Sequence, residues 1–303
     1  MFSDAHCDTI AKIYDLKCEL YENDCHIDLK RLQKNKNLVQ FYAVWTDPEY
    51  EPYSCLPRCL EIIDKFYEET ARNNIPVITA AEEVDGGGAL LTVEGGGVLG
   101  GRLSVLRVLH RLGVRSVTLT WNGRNELGDG AAQGEKAFGL SRFGEEVVAE
   151  MNRLGMIVDV SHLSDRGFWD VVRVCGAPFM ATHSNARAVA SHWRNLTNEQ
   201  ISVIINMGGF IGINFCPDFL NPNGAGIADI IKHIEHMLSL GGGDVVGFGA
   251  DFDGVDDLPN GINGVEDMDK VTNELLKLNY SDAQVHKLLY ANLHRAVRTI
   301  LKN

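Results

Sequence analysis

A parallel (β/α)8 barrel is the fold class this sequence predicts, and three observations predict it. Eight short, mostly apolar segments with strand character recur along the 303 residues, helical segments separate nearly all of them, and polar residues stand at the carboxyl ends of six. Continuous apolar strands, as opposed to alternating ones, suit a parallel sheet covered by helices. A doubly wound open sheet is the alternative. It would string the polar residues along an edge, whereas a barrel brings them to one mouth. No linker, low-complexity tract or convincing repeat interrupts the pattern, so residues 1–303 are expected to form one domain.

The first segment is Ser3-Asp4-Ala5-His6-Cys7-Asp8, at the end of a strand, where alternation aims His6 and Asp8 to the same side. A charged, partly helical stretch runs on to Lys36. Residues 38–45 are rich in β-branched and aromatic side chains and read as a buried strand ended by Asp47-Pro48. Over 56–73, Leu60, Ile63, Phe66 and Tyr67 recur at helical spacing. The third strand, 89–93, terminates in Glu94 and three glycines. A helix over 104–112 stops at Gly113 and leads into the strand 116–120, then Trp121-Asn122. Ser141 caps a helix that ends at Gly155, and the strand 156–160 follows, with Ser161-His162 at its end. Ser164 caps a helix over 165–174, and the strand 177–182 finishes at His183. Thr197 and Gln200 form a capping box for a helix to Met207, before the strand 210–215. A helix over 227–240 precedes the last strand, 245–250, which ends at Asp251. Ser281 and Gln284 open the closing helix, to about residue 301.

Composition narrows the function. The chain is 45% hydrophobic and 23% charged, with 28 Lys and Arg against 41 Asp and Glu, for a formal net charge of -13. Such an acidic balance argues against a general affinity for nucleic acid or anionic membranes and points to a small partner. Neither a signal sequence nor an apolar run of 18 residues is present, so a cytoplasmic location is expected. Seven cysteines without CxxC pairing read as reduced thiols, and Cys55 and Cys59 as neighbours on a helix.

The polar strand ends make a chemical set. Neutral imidazole and carboxylate both suit a borderline divalent ion such as zinc. His6 and Asp8 can hold one ion and His162 and His183 another, with Glu94 bridging them. Two ions about 3.5–4 Å apart share an acidified hydroxide, and Asp251 is placed to take its proton and pass it to a leaving amine. Metal-assisted hydrolysis is the predicted reaction class.

In this order the motifs resemble the membrane (renal) dipeptidase family of zinc peptidases, along essentially the whole chain. They are Asp4-Ala5-His6-Cys7-Asp8-Thr9, Val93-Glu94-Gly95-Gly96, Leu119-Thr120, Val160-Ser161-His162-Leu163-Ser164, Thr182-His183-Ser184-Asn185-Ala186-Arg187-Ala188, Arg194-Asn195-Leu196 and the run from Gly247 to Val255. The resemblance implies two zinc ions, one on His6, Asp8 and Glu94 and one on Glu94, His162 and His183. It also implies proton transfer by Asp251 and capture of the substrate's terminal carboxylate by Arg194, whose planar guanidinium can bond both oxygens. A dipeptide substrate, tolerance of a carboxyl-terminal D-residue and a homodimer are further implications. Animal members carry a His after Leu-Thr that helps hold the peptide carbonyl or oxyanion; this chain has Trp121 and Asn122 there, an indole N–H and an amide as substitute donors. Lacking secretion and anchor signals, it is more similar to the bacterial branch.

Competing readings are weighed at each position. Asp253 is either a support to the site or a turn residue, Arg187 competes with Arg194, and His192 reads as a solvated loop residue. His110, His233, His236, His286 and His294 fall in helices on the outside of the barrel and carry no assigned role. The glycine runs lack the context of nucleotide-binding loops. Two other functions fit the same set. One is an amidohydrolase acting on N-acyl amino acids or cyclic amides, although such barrels commonly bridge their ions with a Lys where Glu94 stands. The other is a non-catalytic metal-binding protein, which would have no need of Asp251.

Overall fold

The computed structural model describes residues 2–34, 37–46 and 55–302. Asp47-Pro48 and Lys36, expected to mark the ends of segments, lie outside the described residues. Eight strands occur in the order β1 Phe2–Asp4, β2 Asn37–Trp45, β3 Gly88–Glu94, β4 Ser116–Thr118, β5 Ile157–Asp159, β6 Met180–Ala181, β7 Phe210–Ile213 and β8 Val246–Phe248. Each pairs in parallel with the next. The Ala5 N–H donates to the Phe248 carbonyl (2.9 Å), and Cys7 bridges in parallel to Phe252, so the two edges meet. The expected (β/α)8 barrel is the observed fold.

Around the strands lie α1 Thr9–Leu16, α2 Leu29–Lys34, α3 Cys55–Arg72, α4 Leu103–Arg111, α5 Arg142–Leu154, α6 Asp165–Val174, α7 Asn198–Asn206, the single turn α8 Pro217–Leu220, α9 Ile227–Ser239, α10 Met268–Lys277, α11 Asp282–His286 and α12 Asn292–Ile300. Ser141, Ser164 and Thr197 cap α5, α6 and α7 as their sequence positions predict, each accepting from the amide three residues on. Gly155 closes α5 in the left-handed region, φ 69°. Two differences stand out. The sequence pattern missed α10, and the closing helix is interrupted by a wider turn at Lys287–Ala291 between α11 and α12.

Alternation along the strands separates two packing layers. In β3, Leu90 belongs to an inner apolar cluster with Val39, Phe41, Ile157, Met180 and Phe210, whereas Ala89, Leu91 and Val93 pack outward under the helices. Glu94 shares the parity of Leu90 and therefore faces the barrel interior at its carboxyl end. Leu293, Ala296, Val297 and Ile300 of α12 join the inner cluster and close the opposite end. His294 of that helix bonds Ser3 Oγ (3.1 Å), and His233 of α9 bonds the Ala186 amide (3.1 Å) and the Leu220 carbonyl (3.0 Å). Both histidines are buried, a correction to their expected place on the outside: each satisfies polar groups that the helical layer would otherwise leave unpaired.

Candidate metal centre

The paired segments of the strands stop short of the expected windows, and most of the candidate residues stand on the chain just beyond them. His6 and Asp8 follow β1, Glu94 is the last residue of β3, His162 and His183 follow β5 and β6, and Asp251 follows β8. His162 and Asp251 each have φ 63°, a left-handed conformation uncommon outside glycine, which turns the side chain back over the mouth.

Glu94 is the centre of the group. Its Oε1 lies 2.9 Å from His162 Nε2 and 3.4 Å from His183 Nε2, while its Oε2 lies 3.6 Å from His6 Nε2. His6 Nε2 is also 3.2 Å from Asp8 Oδ2 and 3.6 Å from Asp251 Oδ1. Three sets, His6/Asp8/Glu94, Glu94/His162/His183 and His6/His183/Asp251, bring their ligand atoms close enough to share an ion.

The surrounding hydrogen bonds decide which imidazole nitrogens are free. The Thr182 hydroxyl donates to Asp159 Oδ2 (2.6 Å), so its oxygen accepts from His183 Nδ1 (2.9 Å). Asn122 Oδ1 accepts from His162 Nδ1 (2.8 Å). Protons on both Nδ1 atoms leave lone pairs on both Nε2 atoms, which stand 2.8 Å apart and both face Glu94. Three acceptors converging in a buried place are satisfied by a cation. Asp8 Oδ1, buried without a hydrogen-bond partner, is a fourth polar atom that such an ion would satisfy. The donor set, imidazole and carboxylate without thiolate, suits zinc or a similar ion.

The electrostatics agree. Burial opposes a charge on His6, yet Glu94 and Asp8 raise its pKa well above the ordinary value. Burial, and then His6, push His183 well below it. For Glu94 the histidines overcome burial and hold the carboxyl well below the usual range, whereas burial and the neighbouring Glu94 charge lift Asp8 to about 7. Crowded acceptors of this kind are what a bound cation relieves.

The remaining residues form the walls. A cavity of ≈ 480 Å³ opens onto Asp8, Glu94, His162 and Asp251 and is walled by Trp45, Trp121 and Phe219. Trp121 meets Trp45 edge-on, at 5.7 Å between centroids. Arg194 is buried beneath the wall: Nη1 bonds Ser184 Oγ (3.0 Å), Nη2 bonds the His183 carbonyl (3.0 Å), its guanidinium lies 5.8 Å from the Phe219 ring centroid, and Nε has no partner. Its competitor Arg187 is bound to Asp165 through both Nη atoms (2.7 and 2.8 Å). His192 accepts from the Arg194 amide (3.2 Å), and Asp253 accepts from the Thr9 hydroxyl (2.6 Å) and the His26 amide (2.7 Å), so both support neighbouring loops.

Sequence reasoning passed over three supports. Asp159 accepts from the Ser161 and Thr182 amides and from the Thr118 and Thr182 hydroxyls, Thr182 sets the His183 tautomer, and Asn214 donates to Asp251 Oδ2 (2.8 Å). The strand alternation at Asp159 was a signal of sorts: a carboxylate inside an apolar strand needs donors.

A parallel barrel with imidazoles and carboxylates gathered at its carboxyl mouth is the frame of a metal-dependent hydrolase. The Membrane dipeptidase (Peptidase family M19) model matches residues 1–303, and the chain belongs to that family, a family of metallopeptidases. Among solved structures, a metallo peptidase from Rhodobacter sphaeroides liganded with a phosphinate mimic of the dipeptide L-Ala-D-Ala is 28% identical, with 99% of each chain covered and a TM-score of 0.91. The dipeptidase AC, a metallo peptidase of family M19, is 28% identical over 100% of this chain and 99% of its own, with a TM-score of 0.92. An amidohydrolase from Pseudomonas aeruginosa, 22% identical over 99% and 96% of the two chains with a TM-score of 0.85, shares the fold.

Proposed function

We propose that the protein is a binuclear zinc dipeptidase. The observation that carries this reading is the division of Glu94, one oxygen turned to His162 and His183 and the other to His6. His6, Asp8 and Glu94 would hold one ion and Glu94, His162 and His183 the other. Bound there, the ions would supply Lewis acidity and acidify a water near neutral pH.

The chain's own groups do the rest. Asp251, fixed through Oδ2 by Asn214, has Oδ1 on the His6 side to take a proton from the attacking water and return it to the leaving amine. Arg194, held by Ser184 and the His183 carbonyl, keeps unused donors for the terminal carboxylate. Trp121 with Trp45 walls the cavity against bulk water. Asn122 spends its oxygen on His162 and has its amide nitrogen left as a carbonyl donor in place of the family's His. The family, together with the L-Ala-D-Ala mimic bound by the Rhodobacter relative, supports free dipeptides, D-residues at the carboxyl end included, as substrates. Seven cysteines, none of them in a disulfide, support a cytoplasmic setting, and among the described residues no helix is long and apolar enough to cross a membrane.

The test is metal-stripped protein titrated with zinc, scored by bound metal and by turnover of L-L and L-D dipeptides beside N-acetyl amino acids. Two bound equivalents and cleavage confined to free dipeptides are expected. Cleavage of only the N-acyl compounds, or one bound equivalent at full activity, would refute the reading.

A further inference from the structure

The cavity has one basic side chain on its rim that the site described so far does not use. Helix α1 begins directly after Asp8, and the Lys12 amide donates to the Asp8 carbonyl (3.0 Å), which places Lys12 one turn beyond Asp8 on the same helix face. Lys12 lines the ≈ 480 Å³ cavity and also a neighbouring one of ≈ 560 Å³ on its other side.

Carboxylates surround this lysine, yet among the described residues it has no ion pair or hydrogen bond through its side chain. The nearby acids are engaged elsewhere. Asp15 pairs with Arg58 (2.7 Å), Asp253 accepts from the Thr9 hydroxyl and the His26 amide, and Glu22 pairs with Lys30 (2.6 Å). Asp24 and Asp256, on the neighbouring cavity, form no ion pair with Lys12. Asp8, Glu94 and Asp251 belong to the proposed metal set. A half-buried lysine at the mouth of a substrate cavity, with no ion pair among the described residues, is a site for an anion that arrives with the ligand.

We infer that Lys12 selects dipeptides whose amino-terminal residue carries an acidic side chain, Asp or Glu. The inference rests on the dipeptidase reading above. If Arg194, on the loop after β6, holds the terminal carboxylate, the carboxyl end of the substrate lies on that side of the mouth. Lys12 follows β1, three strand steps away around the barrel through β7 and β8, where the other residue of a dipeptide reaches. Outside the proposed metal set the charged lining of the cavity is Lys12, Asp15 and Asp253, and with Asp15 paired to Arg58 and Asp253 bonded to Thr9 and His26, Lys12 is the positive group there without an ion pair among the described residues.

The test is calorimetric binding of phosphinate mimics of L-Glu-L-Ala and L-Gln-L-Ala to the zinc-loaded protein, since the pair differs by one charge. Wild type should bind the Glu mimic about three- to tenfold more tightly, a ratio that shrinks with added salt. Lys12→Met should abolish the preference and Lys12→Glu invert it. An unchanged ratio in Lys12→Met, or no preference in wild type, overturns the inference. A Lys12-dependent ratio seen only with mimics of L-Ala-L-Glu and L-Ala-L-Gln overturns the amino-terminal placement. Turnover of the dipeptides themselves is scored separately: the expected binding ratio without cleavage would refute the dipeptidase reading alone, and binding of neither mimic would refute both.

Discussion

Asp251 illustrates how a single residue is prepared for work. Its φ of 63° costs about 1 kcal/mol or more in a non-glycine residue, and the cost is held by contacts on both sides: Asn214 bonds Oδ2, while its own amide donates to the His6 carbonyl (3.2 Å). Replacing Asp251 by Asn keeps the shape and removes the proposed proton acceptor. Asp251→Asn should therefore bind its metal close to normally and lose at least about 10²-fold in kcat, checked by metal analysis beside steady-state kinetics. Turnover comparable to wild type would remove Asp251 from the proton path. Asn122 teaches a different lesson. As a sequence position it offers a whole amide to the proposed substrate site; folded, its oxygen is committed to the His162 Nδ1 proton, and only the nitrogen remains for that proposed role.

At the scale of elements, the junction of β6, β7 and β8 sets the position of His183. Gly212 and Gly249 flank the Thr182 carbonyl so closely that a Cβ on either would overlap it, and a Cβ on Gly249 would also come within 3.2 Å of the His183 Cα. The obstacle is backbone, which has no rotamer to yield. Gly249→Ala should lower stability by more than about 2 kcal/mol and weaken zinc binding through the displaced His183, measured by urea unfolding and metal competition. Wild-type stability in that variant would show that the strands can separate without consequence for the site. Helix α1 has a comparable positional role, carrying Asp8 at its start and Lys12 one turn on, so that one element serves both the proposed metal set and the proposed selection of substrate.

For the whole molecule, buried histidines couple stability to pH. His233 is enclosed between the Ala186 amide and the Leu220 carbonyl, and burial lowers its pKa to about 4 from an ordinary 6.5. Below 6.5 the unfolded chain takes up a proton that the folded one refuses, so unfolding is favoured as pH falls. The stabilisation is intact above 6.5 and erodes between 6.5 and 4, and the loss amounts to roughly 3 kcal/mol once pH is below 4. In a His233→Gln variant the unfolding free energy should depend less steeply on pH across that window than in wild type. Equal slopes would mean that another group dominates the acid side of the curve. The same enclosure explains why His233 and His294 left the outer surface to which helical periodicity assigned them: the pattern reports which face is apolar, and a buried imidazole with two partners is tolerated on that face.

How much of this was legible follows from where the information lies. Strand composition, caps at Ser141, Ser164 and Thr197, and polar residues at the ends of six strands are local features, and they suffice for the barrel and for the candidate metal ligands. His6, Asp8, Glu94, His162, His183 and Asp251 could be read because barrel closure brings strand ends together whatever the loops do. Helix α10 escaped because the acidic stretch before it carries no cap bond of the Ser or Thr kind. Which nitrogen of His162 or His183 is free, that Asn214 holds Asp251, that Arg187 is taken by Asp165 while Arg194 is not, and that the Lys12 side chain has no partner among the described residues were decided only by the tertiary structure. Each depends on a hydrogen bond or ion pair between segments far apart in the chain, or on the absence of one, and no local pattern encodes the direction in which a side chain finds its partner.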